Sequence, residues 1–588
     1  MKLRLREFSF AARNGAHGIA GAGRVAGSAD ANGGAGRVAA VGRAEAGRSL
    51  RALIAAVAGS VALAAAVPIS TIAHAQNLPN LGDESAAALS PQMERKIGEG
   101  IYRELRRDPS YVEDAEVAGY VQDMGQRLLA AGPEPGMSVE FFVLQDAQIN
   151  AFALLGGYIG INSGLIVAAE SESEAASVLG HEIGHLTQKH IARGVAAGQR
   201  SSMATLVMSA FCLLAARSNP QVAGGCLMAG QAAGVQSQLA YSRDFEREAD
   251  RVGFDILNKG GFDVSAMPVF FERMQRSTRI LESNAPAYVR SHPLTTERIA
   301  DVRNRVQGRG GQGGAQGGLQ SSAQGGIYRQ RADTLTFHLV RAKLRATADA
   351  TVDGVRDSVK YFRTQLDDKT LAHPAAAYYG LAQAYLQGRD VAAAQAAFAR
   401  IANPASHPMF ETLAARIRRA AGDNDGALAL LRAAIKRHAA APAAAAFQSR
   451  ALQFEMIDAL QAAGKHADAL PLLRDQAQLY RTDPKVQQLL AKSYAATGKR
   501  LAQHQALGEH YALLGALQAA IEQYQLARCS GEGDFYQLSI IDARIRILWD
   551  SLLSERADQA GGRQPPSGEG SSAPRGPPRV EQGVPTRC

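Results

Sequence analysis

The chain has little cysteine, and its cysteines are not spaced as metal ligands. Four occur in 588 residues, and none forms a Cys-x-x-Cys pair, which argues against a zinc–thiolate site. Cys212 and Cys226 are close enough in sequence for a local disulfide, and the alternative is two small buried residues. Thiolate metal chemistry is therefore not expected.

A strong excess of positive charge is also missing from most of the chain. The formal net charge is +9, but residues 1–75 hold nine Lys or Arg against three acidic residues, so two thirds of that excess lies there. The remaining residues are nearly balanced and contain no basic stripe. Because nucleic-acid binding depends on clustered cations at phosphates, this distribution argues against a nucleic-acid partner.

Apolar runs long enough to span a bilayer are not found beyond the N-terminal region. There, a short apolar stretch follows Arg48 and Arg51 and ends at Ala73-His74-Ala75, which predicts a secretory signal cleaved after Ala75 and hence export to an oxidising compartment. An uncleaved membrane anchor is the alternative. The apolar residues of 203–235 predict buried helices, with a hairpin lying on a membrane surface as the alternative.

Composition divides the chain into five segments. Glycine and glutamine dominate a stretch after residue 306, which cannot bury a core and is typical of a linker. The predicted segments are a leader with signal peptide (1–75), a metallopeptidase domain (76–306), a linker (307–327), a helical repeat domain (328–558) and a disordered tail (559–588).

The segment after the linker is rich in alanine and carries a recurring spacing. A glycine is followed five residues later by an alanine at four places: Gly388/Ala393, Gly422/Ala427, Gly464/Ala469 and Gly515/Ala520. A glycine between two helices and a small residue where they cross is typical of helix-hairpin repeats. The intervals are irregular, and we predict a divergent tetratricopeptide-like array, with an ordinary helical bundle as the alternative.

Residues 76–306 predict an α+β domain. Helices are expected from Pro91 to the break at Asp108-Pro109 and again up to Gly132, followed by strands at 139–144 and 158–161. The second strand is predicted to be an edge strand that pairs with an extended substrate. An acidic stretch then begins the next helix.

That helix carries His181-Glu182-Ile183-Gly184-His185, an H-E-x-x-H motif. Histidines four residues apart lie on one face of a helix and can bind one zinc ion, with the glutamate between them placed to act on a water at the ion. Two surface histidines on an ordinary helix are the alternative, since the motif is short.

A hydrolytic zinc site needs a third protein ligand. The residues at the next motif positions are Gln188 and Ile191, which excludes the H-E-x-x-H-x-x-G-x-x-H class. His190 is predicted to be a surface histidine, because five residues beyond His185 it leaves the shared helix face.

The third ligand is expected on a second helix, in Glu246-Arg247-Glu248-Ala249-Asp250. Glu246 is the better candidate and Glu248 its rival. Asp250 shares a face with Glu246, so it can orient a ligand histidine or handle a proton. Small Ala249 would let the two helices approach closely.

Together these two motifs resemble the zinc metallopeptidase family that includes HtpX and the CAAX prenyl proteases, over roughly residues 90–305. The resemblance implies one Zn²⁺ per chain, held by His181, His185 and Glu246, with Glu182 as catalytic base and Asp250 as proton donor. A histidine in a matching Ser-His-Pro segment holds some members inactive, which would make His292 a regulatory fourth ligand.

The export signal and the repeats make the chain most similar to the BepA-like branch of that family. This implies a periplasmic endopeptidase for quality control and assembly of outer-membrane β-barrel proteins. Its expected partners are stalled outer-membrane proteins and, through the repeats, the barrel-assembly machinery. A chaperone or scaffold with minor proteolysis is the alternative.

Overall fold

The computed structural model describes residues 89–197, 243–280, 286–310, 332–368, 370–439 and 446–561. All of them fall within one compact unit, residues 82–588. The leader, the cleavage site after Ala75, the segment 203–235, Cys212 and Cys226, and the tail beyond residue 561 lie outside the described residues, as does most of the predicted linker.

Two helices precede the sheet, as predicted. Helix α1 is Pro91–Arg107, with Ser90 as its N-cap, and α2 is Ala115–Ala130. The Asp114 carboxylate caps α2 by accepting hydrogen bonds from its first amides. Both helices bury an apolar face against the sheet that follows.

The described residues form one three-stranded sheet in the order β1-β3-β2. Its strands are β1 (Glu140–Leu144), β2 (Ala151–Leu154) and β3 (Tyr158–Asn162), with β3 parallel to β1 and antiparallel to β2. The prediction that 158–161 is an edge strand is therefore wrong, because both sides of β3 are paired. Strand β2, which the sequence did not reveal, lies at an edge.

The motif helix lies at the centre of the fold. After α3 (Ser163–Ala168) come α4 (Glu172–Thr187), α5 (His190–Ala197) and α6 (Arg243–Lys259). Helix α4 is buried along almost its whole length. A Cβ added to Gly253 on α6 would lie 2.8 Å from the His181 nitrogen, and one on Gly184 would lie 2.9 Å from the Ala249 oxygen. The backbones of α4 and α6 therefore touch, as small Ala249 predicted.

Three further helices close this part of the chain around α4. They are α7 (Ala266–Ile280), α8 (Ala287–Ser291) and α9 (Thr296–Gly310). Helix α8 is short, and its C-terminal end brings His292 toward α4. Helix α9 extends four residues into the stretch predicted as linker.

From residue 335 onward the described residues are helical, apart from turns and loops. The helices are α10 (Leu335–Ala346), α11 (Val352–Asp367), α12 (Pro374–Gln387), α13 (Val391–Phe398), α14 (Pro408–Ala420), α15 (Asn424–His438), α16 (Ala446–Ala462), α17 (His466–Leu479), α18 (Pro484–Ala496), α19 (Arg500–Leu513), α20 (Leu517–Arg528) and α21 (Phe535–Gly561).

The predicted glycines do lie between these helices. Gly422, Gly464 and Gly515 have φ angles of 86°, 72° and 73°, a region that favours glycine. At Gly388 the left-handed residue is instead the following Arg389, with φ of 61°. The alanines five residues later are fully buried at three of the four places, at Ala427, Ala469 and Ala520.

Part-buried polar contacts join the part of the chain before the predicted linker to the helical part after it. The Glu172 amide, the first of α4, donates to Asp333 (2.9 Å), while the Thr334 amide at the start of α10 donates to the Glu172 carboxylate (2.9 Å). We call this pair of exchanged contacts the reciprocal cap. It joins the starts of two helices that are 162 residues apart.

Within the described part of the chain, every helix is too short or too polar to cross a bilayer.

Candidate metal centre

The metal-ligand candidates predicted from the two motifs come together in one buried cluster. His181 and His185 project from α4, and Glu246 faces them from α6. The two Nε2 atoms are 3.0 Å apart, and the Glu246 carboxylate oxygens lie 3.4 Å and 3.5 Å from them. The rival Glu248 faces elsewhere, toward His190 and Arg193.

These donors fit Zn²⁺. Two ligand atoms on a tetrahedral zinc ion lie about 3.3 Å apart, since each bond is about 2.0–2.1 Å, and the observed separations are close to that value. Two imidazole nitrogens and a carboxylate oxygen are the donor types that catalytic zinc sites use. Their burial also keeps the facing lone pairs away from bulk solvent, which favours a cation between them.

Glu182 lies beside the cluster and is completely buried. Its Oε2 accepts a hydrogen bond from the Ala153 amide of β2 at 3.1 Å, which fixes the carboxylate. No described residue donates a hydrogen bond to its Oε1. A buried carboxylate oxygen that is fixed but has no donor of its own is placed to act on a water or substrate.

His292 lies directly against the three candidate ligands. Its Nδ1 is 3.0 Å from Glu246 Oε1, and its Nε2 is 3.6 Å from Glu182 Oε1. One donor atom from each of His181, His185, Glu246 and His292 lies within 4.8 Å of the other three. Because the His292 amide donates to the Tyr288 oxygen at 2.7 Å, the end of α8 sets this position.

Asp250 lies on the outer side of His181. Its Oδ1 is 2.9 Å from His181 Nδ1, the ring nitrogen that faces away from His185. Arg298 of α9 donates two hydrogen bonds to the Asp250 carboxylate, at 2.7 Å and 2.8 Å, and its Nη1 lies 2.7 Å from Glu246 Oε2. No motif of the sequence marked Arg298 as part of the site.

Charge and burial act against each other on the two carboxylates. Burial alone would raise the pKa of Asp250, but the Arg298 guanidinium and the hydrogen bonds lower it below the ordinary value. Burial likewise opposes ionisation of Glu246, and the neighbouring His292 and His181 hold its pKa well below the usual range. Both groups are therefore carboxylates at neutral pH.

His190 is not a surface histidine, so that prediction is wrong. Its side chain is fully buried, its Nδ1 is 2.8 Å from His185 Nδ1, and its Nε2 is 3.2 Å from Glu248 Oε2. The reason is local: Lys189 has a φ of 52°, so the chain turns between α4 and α5. His190 then begins a new helix and does not follow the phase of α4.

Tyr288 is a further buried group that the motifs did not indicate. Its ring stacks on His292 at 4.8 Å between centroids, and no described residue bonds to its hydroxyl. Burial, reinforced by the negative charge of Glu182, raises the pKa of this phenol well above its ordinary value. The Tyr288 side chain is therefore uncharged and bounds one side of the site.

Comparison with known proteins agrees with this chemistry. Residues 115–306 match the model of peptidase family M48. The chain is 35% identical to the beta-barrel assembly-enhancing protease of Escherichia coli K12, over 42% of this chain and 51% of that protein. It is also 35% identical to the beta-barrel assembly-enhancing protease of Yersinia pestis, over 41% and 50%.

A more distant relative is the mitochondrial metalloendopeptidase OMA1 of Schizosaccharomyces pombe, 26% identical over 39% of this chain and 66% of that protein. The chain spans about half the length of the assembly-enhancing proteases it matches. The resemblance that the two motifs predicted is confirmed. In residues 115–306, the chain carries a domain of peptidase family M48.

Proposed function

We propose that this protein is a zinc-dependent endopeptidase. The observation that carries the proposal is the buried cluster of His181, His185 and Glu246 with the fixed carboxylate of Glu182 beside it. A His, His, Glu set leaves one position of a tetrahedral ion for water, which is the arrangement of a hydrolytic site. When bound there, Zn²⁺ would polarise a peptide carbonyl and lower the pKa of a water.

The remaining roles follow from the positions of this chain's own side chains. Glu182 takes a proton from the attacking water and returns it to the leaving amine. Asp250 is placed to orient His181, and Arg298 donates hydrogen bonds to its carboxylate. The proton-donor role expected for Asp250 stays a prediction. His292, which lies against Glu246 and Glu182, holds the enzyme inactive until α8 moves.

The substrate class we propose is unfolded or stalled outer-membrane β-barrel protein, with the enzyme in the periplasm. Support comes from the names of the two bacterial relatives and from the sheet. Strand β2 pairs with one neighbour only among the described residues, and its Ala153 touches Glu182. An unpaired strand of an unassembled barrel suits such an edge.

We further propose that helices α10–α21 form a tetratricopeptide-like array that binds the barrel-assembly machinery. Support comes from consecutive helices joined by left-handed residues at Arg389, Gly422, Gly464 and Gly515. Such arrays expose extended surfaces to protein partners.

A Glu182→Gln variant tests the proposed activity. It removes the base but keeps the size of the side chain, so it should bind zinc like the parent protein and lose cleavage of an unfolded outer-membrane β-barrel protein by at least about 100-fold. The zinc content and the cleavage rate are measured on the same preparation. If the variant cleaves at the parent rate, the assignment fails; if it complements a deletion strain fully, a scaffold function is favoured.

A further inference from the structure

Both histidines of the motif hold their second ring nitrogen against a neighbour. For His181 the neighbour is the Asp250 carboxylate, at 2.9 Å. For His185 it is another imidazole, His190, with the two Nδ1 atoms 2.8 Å apart. His190 therefore occupies, beside His185, the position that the Asp250 carboxylate occupies beside His181. Groups in this place set the orientation and tautomer of a metal-binding histidine.

The hydrogen-bond partners of His190 and His185 determine which of their ring nitrogens carry a hydrogen. A carboxylate such as Glu248 only accepts hydrogen bonds, so the His190 Nε2 beside it carries the hydrogen. The Nδ1 of a neutral His190 is then an acceptor, and His185 Nδ1 must donate to it. This leaves the lone pair of His185 on Nε2, the atom that faces His181 and Glu246.

His190 is also held rigidly in this position. Its ring is fully buried and lies parallel to that of Phe245, with centroids 4.6 Å apart and an interplanar angle of 7°. Glu248 is fixed in turn by Arg193, whose Nη1 is 2.9 Å from its Oε2. The support for His185 therefore comes from α5 and α6 together.

We infer that His190 is a positioning residue that keeps His185 in the tautomer able to bind Zn²⁺, with Glu248 and Arg193 as its outer support. The inference rests on the proposed metal site. Glu248, which the sequence offered as a rival ligand, then has a different role: it accepts the hydrogen bond of His190 Nε2.

Two substitutions at one position test the inference. His190→Phe keeps the stacking on Phe245 but cannot accept a hydrogen bond, whereas His190→Asn places an amide oxygen near the position of Nδ1. Losing such a partner typically weakens metal binding about 10–100-fold. We expect that loss for His190→Phe and recovery of most of the affinity for His190→Asn, measured by competition for zinc with a chromophoric chelator.

Two further measurements separate positioning from folding. The visible absorption of the cobalt-loaded protein should change in His190→Phe and return toward the parent spectrum in His190→Asn. His407→Phe, at a buried histidine of the helical part, is the matched control and should leave zinc affinity unchanged. Equal zinc affinity of His190→Phe and the parent would overturn the inference, and so would equal losses in the Phe and Asn variants.

The zinc measurements need no substrate, so the two proposals fail separately. If the parent binds zinc but cleaves no protein, the proposed function falls while the role of His190 stands.

Discussion

Removal of the Lys343 charge tests how the helical part is joined to the peptidase part. Lys343 of α10 is 3% exposed, and its ammonium lies between the carboxylates of Asp114, at 2.6 Å, and Glu116. Glu116 is equally buried, and the Thr412 hydroxyl also donates to it. Lys343→Met keeps much of the apolar stem and removes only the charge.

The expected cost is about 3 kcal/mol of unfolding free energy. Removing one partner of a buried ion pair typically costs about 3–5 kcal/mol, because the other charge stays buried without compensation. We take the lower end, since Thr412 still donates to Glu116 and Asp114 still caps α2. The free energy is measured by urea unfolding of the whole chain, followed by circular dichroism.

A surface ion pair between the same two parts of the chain provides the control. Lys485 lies 3.2 Å from Glu113, with side chains 36% and 41% exposed. Lys485→Met should cost less than about 1 kcal/mol, as exposed pairs do. A Lys343→Met, Glu116→Gln double variant should recover part of the loss, because it removes one of the buried charges left without a partner. If Lys343→Met is no less stable than Lys485→Met, the reasoning is refuted.

Four further measurements extend these tests. Burial acts to raise the pKa of Asp114, but Lys343 outweighs it and lowers the pKa to about 2. With an unfolded value near 3.9, this pair contributes about 2 kcal/mol that is present above about pH 4 and lost as the pH falls toward 2; in Lys343→Met, acid titration should show a smaller loss. Gly253→Ala should destabilise the protein by about 1–3 kcal/mol because its Cβ would meet the backbone of α4. Gly100→Ala, on α1 with open space around it, should stabilise by about 0.5–1 kcal/mol in the same urea unfolding assay. His292→Ala should cleave an unfolded substrate faster than the parent, and an unchanged rate would contradict the proposed inhibition.

Local sequence patterns predicted the parts of the site that depend on helix geometry. The spacing of His181 and His185 and the placement of Glu246 near Ala249 follow from 3.6 residues per turn and from a small residue at a crossing. Arg298 and Tyr288 reach the site from α9 and α8, far along the chain. No local spacing can indicate such contacts, because they depend on how the helices pack.

The two wrong predictions have physical causes of the same kind. His190 was placed by continuing the phase of α4, but one left-handed residue, Lys189, starts a new helix there. Strand β2 has the sequence Ala-Phe-Ala-Leu, whose alanines give little strand signal, so its pairing with β3 was not visible. The edge next to Glu182 therefore belongs to Ala151–Leu154 and not to the residues the sequence suggested.

The reciprocal cap affects how this protein can be divided for experiments. Glu172 is 1% exposed, and its carboxylate accepts hydrogen bonds from Thr334 and from Tyr120. A fragment ending at residue 306 would lack Thr334 and Asp333, so the Glu172 amide at the start of the motif helix would lose its acceptor, while Ser171 would still cap the Glu174 amide. The contacts of the peptidase segment therefore do not end at the compositional boundary after residue 306, because the start of the motif helix bonds to residues beyond it. Activity is best assayed on the undivided chain. A truncated enzyme would lack the contacts at the start of the motif helix, and a failure to cleave could then not be assigned to its catalytic residues.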